Sequence, residues 1–176
     1  VDADFDLDEL HLPHVIQICQ QVEGLPLGIE LAASWVSLLS CEEIAAEIIK
    51  NIDFLRTTMR DVPMAHRSLR AVFDHSWKFL SDEQKECFKK LSIFRGGFTR
   101  IAAEEIAEVD LLLLSEFVNK SLLRRTETGR YEVHELLRQF AEEKLASEPE
   151  ERDLIRTRHS QYYANFLCQR SEMIAK

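Results

Sequence analysis

Two short runs hold the residues best suited to chemistry. His134 stands where an apolar run, Tyr131-Glu132-Val133, gives way to the helical pattern Glu135-Leu136-Leu137. An imidazole at a helix N-terminus feels the positive end of the helix dipole, so it can be held neutral and act as a hydrogen-bond donor, or it can cap the helix. Gly24-Leu25-Pro26-Leu27 puts a proline at a helix start. There it offers a flat apolar ring and no N–H, and it also makes a tight link between helices. The other candidates are weaker. His11 and His14, three apart, could share a metal, yet only local acids lie beside them. Glu104 and Glu105 are adjacent, so a helix points them in different directions, as a solvated face rather than an acid–base pair. His75 shares a helical stretch with Trp77 and reads as a packed or surface histidine. Cys19, Cys41, Cys87 and Cys168 form no C-x-x-C pair, which argues against zinc and against a disulfide framework. Cys19 and Cys168 fall within helical patterns and read as small buried apolar residues. The sequence has no Gly-x-x-x-x-Gly-Lys-Ser/Thr phosphate loop, no Gly-x-Ser-x-Gly and no His-Glu-x-x-His.

The elements that must position these residues are mostly helices. From Leu12 the apolar residues Val15, Ile16, Cys19 and Val22 recur at helical spacing, with Pro13 in the first turn and Gly24 as C-cap. A second helix, roughly Leu27 to Leu39, is apolar nearly all round and so central to a core. Ser40 with Glu43 is a capping box opening a third, through Ile44, Ile48 and Ile49. Residues 51–66, with Pro63, read as a connector. Helices follow at about 68–79, from Ser81 to about Leu91 (a second capping box, with Gln84), at 100–108 behind Thr99, and at 110–119. Ser121 to Thr126 and Arg130 to Val133 then read as two strands around Glu127-Thr128-Gly129. A long amphipathic helix runs from about His134 to Ser147, and a further one over 154–176 finds no partner helix in the chain. Helices followed by a β-hairpin is the order of a winged helix-turn-helix. The fold class is therefore mainly α, a helical bundle plus a winged helix-turn-helix with a small β-hairpin, followed by a helical-repeat stub. The expected domains are 1–58, 59–148 and 149–176.

Composition narrows the function classes. The 176 residues carry 31 acids against 22 bases, a formal charge of −9. Residues 1–50 hold ten of the acids and a single base, Lys50, and residues 1–9 alternate acid and apolar; the rest of the chain is neutral. An acidic chain is a poor general nucleic-acid binder, although Arg124, Arg125 and Arg130 on the wing could meet phosphates or a partner. The helix that would enter a major groove offers Leu111, Leu112, Leu113, Leu114, Phe117 and Val118, with Asp110 and Glu116 as its charges, and so little for base edges. No apolar run is long enough for a membrane span and no signal peptide is evident, so a cytoplasmic setting is expected. The chain begins with Val, which reads as a segment of a longer protein.

The run Glu23-Gly24-Leu25-Pro26-Leu27-Gly28-Ile29-Glu30-Leu31-Ala32-Ala33 resembles the GLPL motif of STAND (NB-ARC-like) signalling ATPases. Tyr131-Glu132-Val133-His134-Glu135-Leu136-Leu137-Arg138-Gln139-Phe140-Ala141 resembles their MHD-motif helix. Between them, Arg67 to Trp77 and Phe94-Arg95-Gly96-Gly97-Phe98 resemble their winged-helix domain. The resemblance covers nearly the whole chain and rests on the ordered set of motifs. It departs from the family in Val133-His134-Glu135, which stands for Met-His-Asp, and in the missing P-loop domain. It implies a regulatory, non-catalytic lid and switch, in a parent that is a transcriptional regulator and ATPase. Pro26 would pack by the base or sugar of ADP or ATP, Leu25 and Leu27 would shape the wall, and His134 would reach the ADP β-phosphate. Nucleotide is expected in the parent only, with none bound to this segment. The implied partners are the P-loop domain of the same chain, a helical-repeat sensor and, on activation, further copies. The alternatives are a winged-helix DNA-binding module and a protein-interaction scaffold built on the Tyr162-Tyr163-Phe166 helix; an enzyme acting alone is the least supported.

Overall fold

The computed structural model describes residues 8, 9, 11–57 and 68–174. The acidic run 1–7, most of the connector with Pro63, the expected limit at 58/59 and Arg67 lie outside the described residues. Among the described residues the chain is helical apart from one short hairpin, and it divides by its contacts into two compact units, Val1–Phe79 and Leu80–Lys176.

The first unit holds α1 (Leu12–Gln21), α2 (Pro26–Ala33), α3 (Cys41–Lys50), a 3-10 turn (Ile52–Phe54) and α4 (Leu69–Lys78). The capping box at Ser40 is formed: the Ser40 hydroxyl accepts from the Glu43 N–H and the Glu43 carboxylate accepts from the Ser40 N–H. α1 and α3 face each other across Ile18, Val22, Ile44 and Ile48, all buried. α2 ends at Ala33, short of the expected Leu39, and the chain continues as turns. The Ser34 hydroxyl donates back to the Leu31 carbonyl at 2.7 Å, while the N–H groups of Trp35 and Val36 donate three residues back, so the α-helical ladder stops. The expected all-round burial is only partial, since Ile29 and Leu38 are exposed. Beyond α3, Trp35 stacks on Phe54 at 4.9 Å, and α4 is tied back by the Leu69 N–H on the Leu55 carbonyl and by an Arg70–Asp53 ion pair.

The second unit holds α5 (Asp82–Leu91), α6 (Arg100–Ala107), α7 (Leu111–Asn119), β1 (Leu123–Arg125), β2 (Tyr131–Val133), α8 (Glu135–Ala146) and α9 (Pro149–Ile174). β1 and β2 pair antiparallel, with Leu123 opposite Val133 and Arg125 opposite Tyr131. Gly129 makes the turn at φ +76°, where a side chain would be strained. Phe98, between α5 and α6, exchanges two 2.8 Å backbone hydrogen bonds with Tyr131 and so adds a third strand position beside β2. Helix, strand position, two helices and hairpin make a winged helix-turn-helix around Phe88, Phe98, Ile106, Leu114, Phe117, Leu136 and Phe140.

α9 departs from the expectation that it lacks a partner. It packs on α6 and α8 through Ile155, which is fully buried, and its His159 meets Phe94 at 5.7 Å and Tyr163 at 4.8 Å. Ion pairs complete the seam: Lys90 bonds Glu108 and Glu151, Arg158 bonds Glu108, and the buried Lys89 bonds Glu148 and Glu86. Past Tyr163 the helix outruns these supports. Cys168, expected to be buried, is exposed there. No helix among the described residues is long and apolar enough to cross a membrane.

Candidate functional site

The hairpin delivers the chain from Val133 straight into α8, and His134 is the N-cap residue between them. Its Nδ1 accepts the Leu136 N–H at 3.1 Å. A nitrogen that accepts carries no proton, so the ring proton of this tautomer is on Nε2. Capping and donation therefore coexist on one half-buried ring: Nδ1 closes the helix and Nε2–H is the donor.

The first turn of α8 is held by an arginine. Arg138 is buried, one turn on from His134. Its guanidinium makes two 2.8 Å bonds to the Glu135 carboxylate, one of 2.7 Å to Glu142 and one of 3.1 Å to the Ser92 carbonyl at the end of α5. Bidentate pairing of this kind fixes direction as well as distance. Burial pushes the Glu135 carboxyl up, but the hydrogen bonds and charge of Arg138 outweigh it and hold Glu135 below the usual glutamate value. In α6's cap, Lys90 and then Arg158 do the same for Glu108. A carboxyl lowered on folding stabilises fully above its unfolded value and loses that contribution as pH falls through the folded one. Both carboxylates are half exposed, so solvent screening keeps their joint contribution small. Urea denaturation followed by circular dichroism should thus show a lower midpoint at about pH 4 than at neutral pH.

In the first unit, Pro26 opens α2 and its ring is exposed, while Leu25 and Leu27 are half-buried. Gly24, at φ +70°, closes α1. Gly28 has a role that the spacing did not suggest. A Cβ there would lie 2.9 Å from the Cβ of Val22, which is wholly buried, so only glycine lets α2 start so close to the end of α1. Pro26 and His134 belong to different units.

The wing arginines differ from one another. Arg124 bonds Glu132 at 2.6 Å across the hairpin, and Arg130 donates to the Gly97 carbonyl. Arg125 is exposed and has no such partner among the described residues. His11 stands at the N-cap position of α1 beside Asp8, whose carboxylate accepts the His11 N–H and lies 2.7 Å from its Nδ1. Among the described residues no three His, Cys, Asp or Glu side chains are placed to hold a metal ion.

Comparison with known proteins gives this arrangement a context. Proteins provisionally named HTH-type transcriptional regulators, one in Mycobacterium bovis (strain ATCC BAA-935 / AF2122/97) and one in Mycobacterium tuberculosis (strain ATCC 25618 / H37Rv), are each 31% identical over 173 residues, 93% of this chain and 19% of theirs. An uncharacterized protein of Mycobacterium tuberculosis (strain ATCC 25618 / H37Rv) is 28% identical over 173 residues, 92% of this chain and 44% of its own. The similarity is to a segment of regulators. This chain spans about a fifth of the length of the two named regulators. No protein-family model matches it.

Proposed function

We propose that this chain is the regulatory, non-catalytic lid and switch segment of a STAND-type (NB-ARC-like) signalling ATPase that acts as a transcriptional regulator. The observation that carries the reading is His134, an N-cap whose Nδ1 is engaged by the helix and whose proton is thereby on Nε2. An N–H donor at a helix N-terminus is suited to a phosphate oxygen. The exposed Pro26 ring, beside Leu25 and Leu27, has the apolar face a base or sugar would rest on. In the parent, ADP would supply the charge that His134 meets, and its exchange for ATP would change what the winged-helix part can hold. The domains in this reading are 1–58, 59–148 and a helical-repeat beginning at 149–176. The partners are a P-loop domain, a repeat sensor and other copies, in the cytoplasm. The phosphate cradle itself is not among these residues. Calorimetric titration of ADP into the 176-residue chain is therefore expected to show no micromolar binding; micromolar affinity would overturn the division of labour.

A second reading, a winged-helix DNA-binding module, has the helix–hairpin order and the exposed Arg125 in its favour. Its cations are mostly committed: Arg124 to Glu132, Arg130 to Gly97 and Lys120 to Gln84. Duplex affinity scales with phosphates neutralised, so this surface is a weak footprint.

A further inference from the structure

We propose that the groove between α7 and the hairpin is a docking surface for an extended peptide segment of alternating acidic and apolar side chains. The groove is lined by Arg100, Leu111, Ser115, Val118, Arg125, Gly129 and Tyr131. Leu111, Ser115 and Val118 stand four and three residues apart, so they share one face of α7. Leu111, in this lining, is 57% exposed; its chain neighbour Leu112 is 68% exposed, and Ile101, next to Arg100 in the chain, is 53% exposed. Large apolar side chains left exposed on a helix that would otherwise read bases mark a protein contact.

The charges at the groove decide the partner's chemistry. Arg125 has no hydrogen-bond or ion-pair partner among the described residues, and its guanidinium lies over Gly129, where an added Cβ would be 3.7 Å away. Arg100, at the start of α6, shares its charge with Glu104 at 3.0 Å and keeps further donors. The acids of α7 are already used: Asp110 caps Leu113 at 2.8 Å and Glu116 accepts from Gln84. The residues lining the groove include two arginines and no acid, so a carboxylate entering here meets arginine first. An extended chain sends alternate side chains to opposite sides. A segment alternating the two types therefore lays its apolar side on Leu111, Val118 and Tyr131 and turns its acids to Arg125 and Arg100. DNA fits less well, because it would bring phosphates to one uncommitted wing arginine and bases to two exposed leucines. This surface is independent of any nucleotide.

Fluorescence anisotropy of the 176-residue chain with a fluorescein-labelled short peptide of alternating aspartate and leucine tests it. Saturable binding is expected, with Arg125→Glu and Leu111→Asp each weakening it about tenfold or more, as does asparagine in place of aspartate in the peptide. Both substituted side chains are exposed, so both variants should keep the wild-type circular dichroism spectrum. No peptide binding, peptide binding indifferent to both variants, or binding of a labelled mixed-sequence duplex that Arg125→Glu abolishes would each overturn the proposal.

Discussion

Phe117→Ala should cost the protein about 3 to 5 kcal/mol of stability. Phe117 is completely buried on α7, and its ring meets Phe88, itself buried on α5, edge to face at 5.3 Å and 66°. Leu114, one turn away, is also completely buried. Truncation to alanine removes the ring's transfer energy, leaves a void between two helices and strands Phe88 without its edge contact. A domain's whole stability is about 5–15 kcal/mol, so this one change takes a large share of it. Chemical denaturation followed by far-ultraviolet circular dichroism is the measurement, with Leu112→Ala as its comparison. Leu112, 68% exposed on the same helix, should stay within about 0.5 kcal/mol of wild type. Equal losses for the two would mean that α7 faces the wrong way.

Arg138→Met should be the next most damaging, by about 2 to 3 kcal/mol. Methionine can fill much of the volume of the stem but returns none of the four bonds. The Ser92 carbonyl, in a buried residue, loses its guanidinium donor. Glu135 and Glu142 lose their shared counter-charge, yet both can rehydrate at the surface, which keeps the cost below that of a fully buried pair. Lysine should recover only part of the loss, because a single ammonium cannot make the fork. Two readouts go beyond stability. The acid sensitivity described for Glu135 should flatten, since its carboxyl is lowered by Arg138. The nitrogen shifts of the His134 ring should move from one tautomer toward an average, because the first turn of α8 is no longer anchored to α5. A variant as stable as wild type would show that the network is ornamental.

Much of the fold was legible because its signals are local. The Ser40 and Ser81 capping boxes, the Thr99 cap and the Gly129 turn are each satisfied within a few residues, so the chain declares them in order. His134 was legible for the same reason, as the hinge between a strand and a helix. Other features depend on distant neighbours. The end of α2 at Ala33 follows from the Ser34 back-bond and the turns beyond it, which an unbroken apolar run conceals. The seam holding α9 joins Lys89 and Lys90 to Glu148 and Glu151, about sixty residues on, and no periodicity reports it. Cys168 looked buried because its helix is patterned like the others, whereas burial stops where α6 and α8 stop. Arg138 is the instructive case. An arginine amid leucines reads as a solvated interruption, and only Glu135 and Glu142, at three and four residues from it, hint that its charge is met inside. The −9 of the whole chain also resolves into a property of its first fifty residues, while the winged-helix part carries balanced charge held in specific pairs.

The central claim concerns His134, and the most direct measurement is the affinity of ADP for the longer parent protein, by calorimetry, in wild type and in His134→Ala. If Nε2–H meets a phosphate oxygen, losing that charge-assisted bond weakens ADP by about tenfold or more, in a protein whose fold is otherwise kept. An ADP affinity unchanged by the substitution would contradict the account and leave His134 as a helix cap alone.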